Sequence, residues 1–144
     1  MTIYLAADHA GFELKEKIKQ FLIEAGYTVK DFGALSMDPD DDYPDYIKKA
    51  AKAVQKNPDD RAIIFGGSGQ GEAMVANKHK KVRATVYYGG APKIITLSRE
   101  HNDANILSIG ARFISEADAK RAIALWLRLP FSRKPRHARR IAKF

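Results

Sequence analysis

Ala62-Ile63-Ile64-Phe65-Gly66-Gly67-Ser68-Gly69-Gln70-Gly71-Glu72-Ala73-Met74-Val75-Ala76-Asn77-Lys78 is the stretch that decides how this chain folds. Its first four residues form the apolar run of a buried strand, and Ala73 to Lys78 read as the opening of a helix. Between them, four glycines in six residues let the backbone turn tightly and bring several N–H groups towards one anionic ligand. A tight turn without a ligand is the plainer alternative. Either way, strand, turn and helix in succession indicate an α/β unit.

The same alternation repeats outward from this unit. Upstream, Thr2–Ala7 reads as a strand, Phe12–Ala25 as a helix stopped by Gly26, and Tyr27–Phe32 as a second strand. Met37–Asp45 is too acidic and Pro-broken for periodic structure, which predicts a loop before a helix over Tyr46–Gln55. Downstream come a strand over Val82–Tyr88, a helix over Ala91–Glu100, a polar loop at His101–Asn105 and a short strand at Ile106–Gly110. Ser115 caps a helix that Pro130 ends, and Arg133–Phe144 reads as a final basic helix. The expected fold is a single α/β domain over 1–144: a three-layer α-β-α, Rossmann-like arrangement with a mostly parallel sheet and a basic helical tail. Ligands of such sheets bind at the carboxyl ends of the strands, which puts Asp8-His9 beside the glycine loop and leaves the place of 101–105 open.

With 45% hydrophobic and 29% charged residues, the 144-residue chain suits one globular domain that buries about two-thirds of its unfolded surface. No apolar run approaches the ~20 residues of a membrane span. The N-terminus has no basic leader and meets Asp8 at once, so a cytoplasmic location is expected. The absence of cysteine excludes disulfides, thiolate metal sites and a Cys nucleophile. A net charge of +8 would suit nucleic acid, but nine Lys/Arg lie between Ala119 and Phe144 with no acid among them, leaving −1 for the remainder. That tail also lacks the interleaved aromatics of single-strand binders, so nucleic acid is not the expected partner.

The glycine loop lacks the GK[ST] ending of a Walker loop, and Glu72 stands where a Lys would hold phosphate. A G-x-S-x-G elbow around Ser68 would need Gly at 70, which is Gln. His9, His79, His101 and His137 show no H-x-x-x-H spacing, so no metal is expected. Asp8 serves equally as a helix cap or a site residue, solvation explains the 101–105 loop as well as function does, and Tyr43 alone is uninformative. Arg136 and Arg140, at i, i+4, would put two guanidinium forks on one helix face, an arrangement suited to a phosphate monoester.

In chain order, Ala7-Asp8-His9-Ala10-Gly11, Asp42-Tyr43-Pro44, Gly67-Ser68-Gly69-Gln70-Gly71, Ala76-Asn77-Lys78, the segment Ser98–Asn105, Gly110-Ala111-Arg112 and Arg136-His137-Ala138-Arg139-Arg140 resemble the type B ribose-5-phosphate isomerases and their galactose-6-phosphate isomerase relatives. The resemblance spans almost the whole chain. It implies aldose–ketose isomerisation of a sugar phosphate through a cis-enediolate, without metal or cofactor. The substrate it implies is ribose 5-phosphate, with a six-carbon phosphate of the allose or galactose type as the alternative. One branch of that family uses as base a Cys just before the loop, here Gly66; the other uses a Glu directly after it, here Glu72.

The resemblance further implies that His101 opens the sugar ring and that Asp8, Asn102, Ser68 and the backbone of Gly67, Gly69, Gln70 and Gly71 bind sugar or enediolate oxygens. Tyr43 belongs to the same substrate-binding set. Phosphate would fall to His9, Arg112, Arg136 and Arg140, with help from His137. Sites shared between the subunits of a homodimer or dimer of dimers are also implied, with the 130–144 tail serving a neighbour. A non-catalytic binder of sugar phosphate or nucleotide would need neither Glu72 nor His101.

Overall fold

The computed structural model describes residues 1–144. Five strands alternate with helices: β1 (Thr2–Ala7), α1 (His9–Glu24), β2 (Thr28–Asp31), α2 (Tyr43–Lys56), β3 (Arg61–Gly66), α3 (Gln70–Ala76), β4 (Ala84–Tyr87), α4 (Lys93–Glu100), β5 (Ile106–Gly110), α5 (Glu116–Arg128) and α6 (Pro135–Ile141). The strands pair in the order β2-β1-β3-β5-β4, and every neighbouring pair is parallel. The three-layer reading therefore holds, and the sheet is wholly rather than mostly parallel.

The apolar runs of β1 and β3 follow from burial on both faces of such a sheet. Ile3, Leu5 and Ala7 point to one side, where they join Ile18, Leu22, Ile95, Ile123 and Trp126 of α1, α4 and α5. Tyr4 and Ala6 point to the other, against Ile47, Ala50 and Val54 of α2 and Ala76 of α3. Each fully buried Ile, Leu or Phe contributes about 1.5–3 kcal/mol relative to exposure. No helix is long and apolar enough to cross a membrane.

Two helices begin earlier than their sequence suggests. Asp8 accepts a hydrogen bond from the Ala10 N–H at 3.0 Å, so α1 starts at His9 rather than Phe12. Pro44, read as a breaker, sits in the first turn of α2, where a missing N–H has no carbonyl to lose, so that helix starts at Tyr43 rather than Tyr46. Past β2 the chain still follows β1: the Phe32 N–H donates to Leu5 O at 2.8 Å and the Ala7 N–H to Gly33 O at 2.7 Å. This contact carries the acidic loop over the carboxyl end of β1.

Candidate active site

The carboxyl ends of β1, β3 and β5 lie side by side, with Ala7 opposite Phe65 and Gly66 opposite Gly110. From them project Asp8 and His9, the glycine loop, and Arg112. The loop after β5 is joined to the glycine loop by N–H bonds from Ala111 to Gly66 O (2.8 Å) and from Arg112 to Gly67 O (3.1 Å). Gly69 takes a left-handed φ of 78°, and its carbonyl accepts the Ser108 hydroxyl at 2.6 Å. The Ser68 hydroxyl accepts the Gln70 N–H at 3.3 Å. The N–H groups of Gly67, Ser68 and Gly69 donate to no acceptor within the chain. Tyr43, at the start of α2, lays its hydroxyl over Gly71.

Glu72, only 4% exposed, folds back from the first turn of α3 so that its carboxylate stands directly in front of the Gly66 Cα. A side chain at 66 would meet that carboxylate and make it shift, so glycine leaves Glu72 its present place. Burial pushes the Glu72 carboxyl above its ordinary range and the negative charge of Asp8 adds to the rise, against an opposing hydrogen bond from the residue's own N–H. Asp8 is itself buried beside it. The capping and site readings of Asp8 are thus compatible, since one oxygen holds the helix while its charge acts on Glu72.

His9 is gripped twice by Asp41, through its backbone N–H (3.0 Å) and its Nδ1 (2.8 Å), both to Oδ1. That hydrogen bond raises the imidazole pKa, which burial and the nearby Arg112 charge oppose. With Nδ1 so engaged, Nε2 is left for a ligand. The Arg112 guanidinium lies over Gly67, close enough that a Cβ there would meet Nη1 at 3.2 Å. Asp8, His9 and Asp41 form the one cluster whose ligating atoms come within 4.8 Å of each other. Asp41 Oδ1 is taken by His9, while its buried Oδ2 has no hydrogen-bond partner in the chain.

The remaining expected site residues are elsewhere. His101 is the C-cap of α4, and the 101–105 segment enters β5 from its amino end, where the Ala62 N–H meets Asn105 O at 3.0 Å. The five residues of β5, at about 3.3 Å each, separate this group from the glycine loop. His101, Asn102, Arg136, His137 and Arg140 thus gather on the side of the amino end of β5, away from the glycine loop. The Ser132 N–H donates to Glu100 O at 3.1 Å, tying the tail to α4.

His137 does not offer itself to a ligand as the sequence reading expected. It is 2% exposed, and its ring stacks on that of His101 at 4.1 Å between centroids. Arg136 Nε donates to His137 Nε2 at 3.1 Å; a guanidinium only donates, so the proton sits on Nδ1, which donates to the Ser132 hydroxyl at 2.7 Å. Burial and the charge of His101 lower the His137 pKa, in keeping with this neutral tautomer. His137 therefore aims Arg136 and props His101. Asp41, Ser108 and Ser132 were missed from sequence: Asp41 is one of an acidic run, and the two serines have no local pattern.

A family model described as Ribose/Galactose Isomerase matches residues 3–144. The ribose-5-phosphate isomerase B of Mycolicibacterium paratuberculosis is 41% identical over 141 residues, covering 98% of this chain and 87% of that protein. Its Escherichia coli counterpart is 38% identical over 125 residues, covering 87% and 82%. The crystal structure of ribose-5-phosphate isomerase B from Mycoplasma genitalium with bound ribulose-5-phosphate superposes with a TM-score of 0.93 at 36% identity, covering 99% of this chain and 92% of that one. With residues 3–144 inside one family model and a fold shared at this level, the chain belongs to the ribose/galactose isomerase family.

Proposed function

We propose that this protein interconverts ribose 5-phosphate and ribulose 5-phosphate, with Glu72 as the base. The observation that carries this reading is the Glu72 carboxylate, buried, raised in pKa and set beside three uncommitted loop N–H groups. Glu72 takes the proton from C2 of the open-chain aldose. The C–H electron pair becomes the C1=C2 bond of the enediolate, and the carbonyl pair moves to O1. The loop N–H groups of Gly67, Ser68 and Gly69 are suited to stabilise that oxyanion. Return of the proton to C1, with transfer of the O2 proton to O1, gives the ketose.

His101 supplies the acid–base function for ring opening, Asn102 and Asp8 bind sugar oxygens, and His9, Arg112, Arg136 and Arg140 hold the phosphate. Because one chain keeps these residues at opposite ends of its strands, a complete site is formed by two copies, each giving its tail and 101–102 segment to the other's glycine loop. The protein acts as a homodimer or larger even-numbered oligomer, in the cytoplasm.

The direct test is conversion of ribose 5-phosphate by the purified protein; absence of turnover overturns the proposal. Arg136→Ala is expected to raise KM about tenfold with kcat little changed, the pattern of lost ground-state binding. An unaltered KM would remove Arg136 from the phosphate site. The pH profile of kcat/KM gives a further check. The base works ionised, so activity falls as pH drops through its raised pKa. The acid limb is therefore expected above the ordinary Glu value of about 4.3 and should be absent from any residual activity of Glu72→Gln.

A further inference from the structure

We infer that the hollow between the start of β3, the Arg99–Asn105 segment and residues 130–133 is a second anion site, independent of the Glu72 pocket, that takes a phosphate group. Its volume is about 300 Å³ and only one of its lining residues is hydrophobic. Arg61, Arg83 and Arg99 bring three guanidiniums to its wall, and exposed Arg133 stands at its mouth.

Three lining carboxylates, Asp59, Asp60 and Asp103, leave one of the four arginine charges unbalanced. Asp103 is shared, accepting from Arg99 Nη1 at 2.9 Å and from Arg83 Nη2 at 2.8 Å. Asp60 is engaged elsewhere, by the Thr2 N–H at 2.6 Å and the Tyr4 hydroxyl at 2.7 Å. Arg61 has no ion pair: its Nη1 donates to Trp126 O and Leu127 O at 3.0 and 2.9 Å, while Nε and Nη2 have no acceptor in the chain. Burial, then the charge of Arg99, pushes Arg61 down to about 10. Arg83 spends Nε, Nη1 and Nη2 on Asn102, Lys81 and Asp103, and Arg99 spends Nε and Nη1 on Leu129, Asp103 and Ala104. The donors left for an oxyanion are Arg61 Nε and Nη2, Arg99 Nη2 and the fork of exposed Arg133. The tetrahedral oxygens of phosphate fit that donor set.

The site carries its own reporter. Trp126 is the only tryptophan, is fully buried, and has the Arg61 and Arg99 guanidiniums against its ring at 5.2 and 5.8 Å. Inorganic phosphate and glycerol 3-phosphate would each be titrated into the full-length protein carrying Arg112→Ala, following tryptophan fluorescence. Adding Arg112→Ala weakens the phosphate grip proposed for the first pocket. The expected result is a saturable change that Arg61→Gln weakens at least tenfold and Arg133→Ala by about threefold, the scale of lost charge-assisted hydrogen bonds. The tighter of the two probes tells whether free or esterified phosphate is the ligand. Arg133 is exposed, so its variant keeps the fold even if Arg61→Gln does not. A linear, unsaturable response, or unaltered affinity in Arg133→Ala, overturns the proposal.

Discussion

Glu72→Gln is expected to lower kcat for ribose 5-phosphate by roughly 10²–10⁴-fold while KM stays within about threefold, the signature of a group acting on the proton in flight. The amide keeps the shape that fills the space before Gly66 and cannot accept the C2 proton. The same change is expected to stabilise the protein. Because the folded-state pKa of Glu72 is raised, its contribution to stability is fully present below the unfolded value and is lost as pH rises through the folded one. At neutral pH the wild type therefore keeps a buried carboxylate at a cost that Gln removes. Thermal melts should show the gain in Tm growing between acid and neutral pH. A variant of full activity would remove Glu72 as base, and a Tm difference independent of pH would remove the desolvation argument.

Two impaired proteins, Glu72→Gln and His101→Asn, are expected to recover about a quarter of wild-type activity when co-expressed and reassorted, although each alone is nearly inactive. In a mixed dimer one composite site collects both substitutions and the other collects neither, and random pairing makes half the dimers mixed. This result depends on the placement of the two groups at opposite strand ends: His101 enters by the amino end of β5, Glu72 by the carboxyl end of β3. Were both residues used within one chain, every dimer would carry only damaged sites and mixing would restore nothing. Reassorted activity at the level of the separate variants would thus overturn the shared-site proposal.

The strand-loop-helix unit around Gly66 was legible because everything that builds it is local: an apolar run, glycines at the turn, and a helix that starts at once. The pairing of Asp8-His9 with that loop was legible too, since it follows from the general geometry of parallel sheets. The position of His101 was not. It depends on β5 lying between β3 and β4, an order that no stretch of sequence states. Pro44 misled because the same residue breaks a helix interior and favours a first turn. Nor could sequence separate Asp41 from its acidic neighbours, because only the fold of the loop over β1 selects which carboxylate reaches His9. His137 kept its place in the cluster but changed its role once both ring nitrogens had partners.

The contact between Gly66 and the Glu72 carboxylate bears on how the two branches of the resemblance can be connected by descent. A side chain at 66 and the carboxylate of Glu72 would occupy the same space. Installing a side chain at 66 first makes the Glu72 carboxylate shift aside; losing Glu72 first removes the proposed proton acceptor. On the proposed assignment of Glu72 as base, the two positions share one space, and exchanging the base between them is expected to couple the two substitutions. The branch of any relative is accordingly read from the pair, glycine with glutamate, and not from either residue alone.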